Sequence, residues 1–415
     1  MLIIYFVLSR VFLFLCSFIA QKTVPYLGFF PYKELLVEYN LPSWISALAN
    51  FDGIHYLLIA KQGYSQWEQA FFPLYPLLIK IVSFIIPNYL VTALLISNIC
   101  FAIGVFIFHT YLKMISVETS RRDVSTYASW SLLFLLAFPT AFFFGVVYTE
   151  GLFFMLFILS LYFLYKKQYW LAGICAALSS ATRLIGIFLA IPFFFHFLSD
   201  YKGTFKNFKL SAFNFKFVLL SPLLGLFSYM LYLWITTGDP LFFFNSQPLF
   251  GANRSTHLIL LPQVYYRYIK ILLAANNDFQ WYLSLFEMSV FTFVFVVLML
   301  DLIKIIKNYT LSLRANHNTA KQSQQSSRLP RRFAPRNDSS TCILLSLNIF
   351  SFTNLLLPTL TGTFSSIPRY SLFSLSFFLY LSQLQSKRIK VGLAVVFITL
   401  QIVLLSLFIQ GYFVG

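Results

Sequence analysis

Apolar runs of roughly 17–25 residues, the length that crosses a ~30 Å hydrocarbon core, recur from one end of this chain to the other. No other feature restricts the fold as strongly. Residues 2–21, 72–87, 90–112, 217–236, 281–307, 341–357, 368–385 and 391–412 each read as one apolar run. Residues 127–165 are too long for one crossing at 1.5 Å per residue and are interrupted by Pro139. They divide into two spans joined between Phe138 and Glu150. Residues 169–199 form a broken apolar stretch that holds Arg183 and Pro192. The expected fold is all-α, a polytopic membrane protein of roughly ten or eleven transmembrane helices in one domain over 1–415. Composition agrees: 59% of residues are hydrophobic and 10% are charged, too few charges to cover a water-soluble surface.

The net charge of +17 reads as membrane topology and not as a nucleic-acid footprint. Lys and Arg collect in loops 113–126, 166–168, 200–216, 307–340 and 386–390, which the positive-inside rule places in the cytoplasm. The gaps near 139–150, 237–280 and 358–367 then fall outside. The segment 22–71 joins them only if 72–87, with Pro73 and Pro76, is a re-entrant or interfacial helix; otherwise one side is wrongly assigned. Residues 314–340 are rich in Asn, Gln, Ser and Arg, with almost nothing apolar to bury, and are expected to be a disordered basic cytoplasmic loop. Cys16, Cys100, Cys175 and Cys342 lie inside apolar runs at no metal-ligand spacing, so neither a zinc site nor a disulfide framework is indicated. Residues 1–21 lack a basic start and a small-residue cleavage site, and read as a retained span.

Of the 13 acidic residues, Glu34, Glu38, Asp52, Glu68, Glu150, Asp239, Asp278 and Glu287 lie away from the inferred inner loops. Asp52 stands in Asn50-Phe51-Asp52-Gly53-Ile54-His55-Tyr56, where a helix would set it on one face with His55 and Tyr56. A carboxylate at an apolar boundary suits a general base, but Asp52 reads equally well as the N-cap of a helix that begins at Gly53. Glu150, at the outer end of a span, is either a functional acid or an interfacial residue favoured by a helix N-terminus. Arg183 has apolar neighbours on both sides and needs an anionic partner, either a protein carboxylate or a lipid phosphate. Arg369, in Ser366-Ile367-Pro368-Arg369-Tyr370, is similar, and arginine grips phosphate in a bidentate way. The aromatic residues of the outer segments suit sugar faces and an interfacial aromatic belt alike. No phosphate-cradling Gly-rich loop or dinucleotide fingerprint occurs, so no nucleotide cofactor is expected.

Five pieces in order carry a resemblance: Phe51-Asp52-Gly53-Ile54-His55-Tyr56, Ala60-Lys61-Gln62-Gly63-Tyr64, Phe71-Phe72-Pro73-Leu74-Tyr75-Pro76, Tyr148-Thr149-Glu150-Gly151-Leu152-Phe153 and Ala181-Thr182-Arg183. Together with Arg369-Tyr370 they resemble the GPI second-mannose transferase family (GPI mannosyltransferase 2, PIG-V type), including its bacterial members. Phe51 stands where that family usually has Trp, and Thr149 where it has Ser. The resemblance implies a GT-C type glycosyltransferase of the bacterial inner membrane with its active site on the outer face. It would take mannose or a related hexose from a polyprenyl-phosphate donor and pass it, with inversion, to a membrane glycolipid or envelope glycan. It implies Asp52 as base in the first outer loop, with His55, Tyr148 and Glu150 shaping the donor and acceptor site. Tyr56, Phe72, Pro73, Arg183, Arg369 and Tyr370 complete the expected substrate contacts. Neither metal nor cofactor is expected, and the partners are the two lipid-linked substrates and the surrounding membrane lipids, not nucleic acid. A lipid-linked sugar flippase is the competing expectation, since broken helices with an intramembrane arginine also occur in transporters.

Overall fold

The computed structural model describes residues 2–28, 33–118, 124–200, 208–250, 255–325 and 337–414. Among them there is helix, turn and bend but no strand. The longer helices are α1 (Leu2–Thr23), α2 (Asp52–Gln62), α3 (Leu74–Ser83), α4 (Tyr89–Glu118), α5 (Val124–Ala137), α6 (Glu150–Tyr165), α7 (Tyr169–Thr182), α8 (Ala190–Asp200), α9 (Phe208–Thr237), α10 (Leu261–Ala274), α11 (Phe279–Gln325), α12 (Asn337–Leu356), α13 (Leu375–Ser382) and α14 (Lys387–Ile409).

Six stretches among the described residues are long and apolar enough to cross a membrane: Leu2–Thr23, Tyr89–Ser116, Lys216–Thr237, Phe279–Thr310, Thr341–Thr361 and Lys387–Ile409. Their outer faces are what lipid requires. Ile3, Leu8, Val11 and Leu15 of α1, and Leu220, Leu224, Phe227 and Leu231 of α9, are exposed at helical spacing. A water-soluble surface rarely carries such contiguous apolar stripes. The chain is an all-helical, multi-pass membrane protein.

The expected count of ten or eleven full spans is corrected. The helix in 72–87 has 10 residues, about 15 Å, and cannot cross the core. That length agrees with the re-entrant or interfacial option for this segment. The stretch 127–165 does divide near Pro139, but into helices of 14 and 16 residues, about 21 and 24 Å. The stretch 169–199 breaks at Arg183, whose extended backbone ends α7 before a 3-10 segment, Leu184–Leu189, leads into α8. The run 368–385 is not a span: it holds the single turn Ile367–Tyr370, a 3-10 turn and the 8-residue α13. Ser366, in the left-handed region at φ 64°, and Pro368 set that turn. The expected disordered loop 314–340 overlaps helix as far as Gln325 and again from Asn337; residues 326–336, like 119–123 and 201–207 of the other expected inner loops, lie outside the described residues.

Packing follows the chain. Helices α4, α6, α7 and α9 form a row, α8 and α11 flank α12, α5 packs on α13, and α14 returns to α1. Gly151 lets α6 approach α4, since a Cβ there would overlap the Ser97 carbonyl oxygen. Gly186 does the same for the 3-10 segment against Ser180 of α7. Both glycines sit next to ends of helices that carry charged residues, so the close approach fixes those ends. Arg10, which the apolar pattern of α1 does not foretell, ties α1 to α4 by donating to Asn98 Oδ1 at 3.0 Å.

Candidate functional site

The short and broken helices end in one place. Residues of 52–72, Thr149, 182–185, 243–247, 255–258, 267–287 and 357–370, with Phe413, line a single cavity of about 1200 Å³. Apart from 182–185 and the first turns of α11, these lie in or beside the segments that the charge pattern sets opposite the Lys- and Arg-rich loops. The two aromatic-rich segments meet at its edge: Trp67 stacks on Phe242 with ring centroids 6.3 Å apart, and Phe72 meets Phe243 edge-on at 5.6 Å. Those rings largely pack against one another.

Local backbone contacts bring Asp52 to this cavity. Val147 N–H bonds to Leu48 O at 3.0 Å, which sets Tyr148 beside Asn50. The Tyr148 hydroxyl accepts from the Asp52 backbone N–H and donates to Asn50 O, each at 3.2 Å. Asn50 in turn donates to Phe408 O at 2.9 Å. Phe51, between them, is held at φ 58° with its ring between Phe408 and Phe413. A bulky residue there costs backbone strain that the surrounding contacts must sustain, and such strain gathers at functional sites. Helix α2 begins at Asp52; its cap position is Phe51, and no side chain caps it. The N-cap reading of Asp52 is therefore set aside.

The Asp52 carboxylate instead accepts from Arg369 Nη1 at 2.7 Å. The turn Ile367–Tyr370 that carries Arg369 is pinned from two sides. Thr140 Oγ1 donates to Pro368 O at 2.7 Å, and Asn354 Nδ2 donates to Tyr370 O at 2.8 Å. Arg369 Nε lies 3.5 Å from Glu150 Oε1, and Glu150 is also ion-paired with Arg183. Arg183 Nη1 further donates to Thr149 Oγ1 at 3.2 Å and lies over the Tyr370 ring at 5.0 Å. Asp52, Arg369, Glu150 and Arg183 thus form one chain of alternating charge that sums to zero. Tyr56 stands beside it. Burial first, then the Asp52 and Glu150 carboxylates, push its hydroxyl above the ordinary tyrosine range, so it is present as a donor.

Six of the expected site residues line the cavity: Asp52, Tyr56, Phe72, Arg183, Arg369 and Tyr370. Four stand behind its wall. Tyr148 braces the Asp52 backbone, Glu150 joins the two arginines, and Pro73 caps α3. His55, expected to share the face of Asp52, turns to Glu68, with Nδ1 2.9 Å from Oε1, and stacks on Phe71 at 5.3 Å. Glu68 also accepts from the Ser65 N–H at 2.9 Å, so it closes the loop between α2 and α3. Arg183 and Arg369, expected to hold a phosphate, each have a protein carboxylate as partner here. Sequence reasoning passes over Arg267 and Lys270 on the same cavity wall, finds only that His257, also there, has no metal-ligand spacing, and leaves Glu287 unassigned. Among the described residues no three His, Cys, Asp or Glu side chains gather as metal ligands. No family model, no curated protein and no solved structure matches this chain.

Proposed function

We propose that the chain is a membrane glycosyltransferase: it moves mannose or a related hexose from a polyprenyl-phosphate donor to a hydroxyl of a membrane glycolipid or envelope glycan. The observation that carries this reading is the Asp52–Arg369 pair at 2.7 Å on the wall of a large cavity, assembled from residues 317 positions apart. The resemblance to GPI second-mannose transferases rests on the same residues.

In this reading Asp52 takes the proton from the acceptor hydroxyl. The acceptor oxygen bonds to the anomeric carbon as the bond from that carbon to the phosphate oxygen breaks. The electron pair leaves with the polyprenyl phosphate, and attack opposite the leaving group inverts the anomeric carbon. Arg369 orients Asp52 before substrate binds. It is then placed to exchange its carboxylate for the phosphate, whose growing charge a preplaced guanidinium stabilises. Because the four-residue chain is already neutral, the excess positive charge that attracts a lipid phosphate comes from Arg267 and Lys270, which line the same cavity. The cavity mouth would face the outer side of a bacterial inner membrane, opposite the basic loops.

A second reading, a lipid-linked sugar flippase, is favoured by the pairing of Asp52 itself. A carboxylate held by arginine serves equally to latch two halves of a transporter. Incubating membranes that contain the protein with labelled polyprenyl-phosphate mannose separates the two. Transfer of label to a lipid or glycan product by the wild type, abolished in Asp52→Asn with donor binding retained, supports the transferase. Undiminished transfer in Asp52→Asn removes Asp52 as the base. Movement of label between leaflets with no new glycosidic product supports the flippase.

A further inference from the structure

A second carboxylate lines the cavity, outside the chain formed by Asp52, Arg369, Glu150 and Arg183. Glu287 lies on α11, eight residues after Phe279 and so about 12 Å along the helix, as the first charged residue of its largely apolar first half. It is 4% exposed. An ionisable group buried in a spanning helix is costly and marks a functional position by default. Its surroundings are built to serve it. Ser365 N–H donates to Thr363 Oγ1 at 3.0 Å, and Thr363 and the Tyr268 hydroxyl are 3.1 Å apart. Phe364 N–H also donates to that hydroxyl, at 3.0 Å, and Tyr268 gives its own proton to Glu287 Oε2 at 2.7 Å. With Tyr268 committed as donor to the carboxylate, Thr363 donates to Tyr268. The hydrogen bonds therefore run one way, towards Glu287, and polarise one another.

One oxygen of that carboxylate is left over. Glu287 Oε1 is buried and has no hydrogen-bond partner among the described residues, and the same holds for Ser366 Oγ. The two residues line the same cavity. The backbone N–H of Ser366 also faces the Glu287 carboxyl. Ser366 is held at φ 64°, a conformation a non-glycine residue adopts only when its surroundings impose it. Its carbonyl starts the turn that presents Arg369, accepting from Arg369 N at 3.0 Å. Buried polar atoms without partners are rare, and each requires an explanation. A purely structural role for Glu287, tying α10 to α11 and, through the Ser366 N–H, to 363–366, leaves Oε1 without a well-formed hydrogen bond and Ser366 Oγ without any.

We propose that Glu287 and Ser366, which line the cavity with Oε1 and Oγ closed to water, turn these atoms into it by side-chain rotation and form a hydroxyl-binding subsite that takes a sugar ring, with Glu287 Oε1 accepting from a ring hydroxyl and Ser366 Oγ bonding to a neighbouring one. The identification of the ligand as a sugar rests on the glycosyltransferase reading; the subsite itself rests on the unpartnered atoms. Paired hydroxyls suit it because a carboxylate oxygen requires a donor, whereas the serine serves a hydroxyl of either polarity. The turn shared by Ser366 and Arg369 couples the occupied subsite to the residue that holds Asp52.

The test uses the full chain in lipid nanodiscs with methyl α-D-mannoside and its monodeoxy analogues, read by saturation-transfer NMR. Glu287→Gln keeps the side-chain shape but places the amide oxygen on Tyr268, so that an NH₂ donor points where an acceptor stood. Expected results are binding to the wild type, a weakening on the order of 10- to 100-fold in Glu287→Gln, a smaller loss in Ser366→Ala, and one deoxy analogue that no longer distinguishes wild type from Glu287→Gln. Thermal midpoints should stay close to wild type in both variants. If Glu287→Gln fails to fold, Ser366→Ala together with the deoxy series decides. Equal binding by wild type and variants, or no binding of the glycoside at any concentration, overturns the subsite.

Kinetics with polyprenyl-phosphate mannose identify which ring is held. A raised donor KM in Glu287→Gln assigns the donor sugar, and an unchanged donor KM with less product on the native acceptor assigns the acceptor sugar. Absence of transfer by the wild type alongside Glu287-dependent glycoside binding leaves the subsite standing and removes the transferase. Asp52-dependent transfer with glycoside binding and turnover unaffected in Glu287→Gln and Ser366→Ala does the reverse.

Discussion

Two ion pairs sit side by side in this protein and differ in one respect, their access to the cavity. The Asp52 side chain is 19% exposed and its partner Arg369 8%. The Glu150 side chain is 0% exposed, with Arg183 at 11%. The resemblance in sequence gives both acids a part in the site. The structure separates them, because a base must reach the proton it removes. Asp52, at the first position of α2 on the cavity wall, meets that condition. Glu150, at the start of α6 beneath the wall, does not. Its surroundings suit it instead to spacing the two guanidinium groups. In the proposed reaction the sealed carboxylate positions and the accessible one, which shares Arg369 with it, does the chemistry.

The largest effect expected from this division is on rate. Asp52→Asn should lower transfer by roughly 10²–10⁴-fold, the usual share of a positioned proton acceptor, and leave the thermal midpoint nearly unchanged. The asparagine oxygen still accepts from Arg369, which keeps Glu150 as its second neighbour. A variant that loses stability in proportion to activity would place Asp52 with Glu150 as scaffold. The reverse pattern is expected for Glu150→Gln. Removing the charge from one partner of a buried pair leaves Arg183 uncompensated, while Arg369 keeps Asp52, at a cost of about 3–5 kcal/mol. Detergent-solubilised protein should show a lowered thermal midpoint and yield, and activity should fall only with the folded fraction. A Glu150→Gln protein of wild-type stability and no activity would reverse the roles assigned to the two acids.

How far the sequence shows this division can be read from particular residues. The apolar runs identify an all-helical membrane protein, because crossing length is a property of local sequence. They overstate the number of crossings where tertiary contacts shorten a run. The stretch 368–385 is as apolar as its neighbours, yet Ser366, Pro368 and the bonds from Thr140 and Asn354 fold its first part into a turn. Asp52, Arg183 and Arg369 stand out in the sequence because isolated charges in apolar surroundings always do. Their pairing does not, since Asp52 and Arg369 are 317 residues apart. His55 departs from its expected place for a related reason: helical spacing puts it on one face with Asp52, but its partner Glu68 lies beyond the end of that helix. Glu287 is visible as a charge in an apolar run, whereas its unpartnered oxygen exists only once α10 and the 363–366 segment fold against it.

Tyr148 tests the seam between the two pairs, with a smaller effect. Its hydroxyl holds the backbone on both sides of Phe51, and its ring lies 5.3 Å from the Arg369 guanidinium. Tyr148→Phe keeps the ring and loses the two hydrogen bonds, leaving Asn50 O without that donor in a buried setting. A destabilisation of about 1–3 kcal/mol is expected, with a fall in rate because the Phe51 strain is less well sustained and Asp52 is less well aimed. A stability change without any rate change would mean that α2 places Asp52 unaided.

The smallest effect belongs to a third ion pair, the most exposed of the three. Lys61 Nζ lies 3.0 Å from Glu38 Oε2, and both side chains are about two-fifths exposed, at 40% and 42%. Solvent screens such a pair, and exposed pairs contribute about 0–1 kcal/mol. Lys61→Ala should therefore move the thermal midpoint little and leave transfer at the wild-type rate, even though Lys61 belongs to one of the motifs that carry the family resemblance and lies on the same helix as Asp52. The comparison turns on this outcome. If access sets what each pair does, the open pair is dispensable, the sealed pair governs folding, and the pair on the cavity wall governs rate. A Lys61→Ala variant as unstable as Glu150→Gln, or as slow as Asp52→Asn, would show that something other than access orders the three.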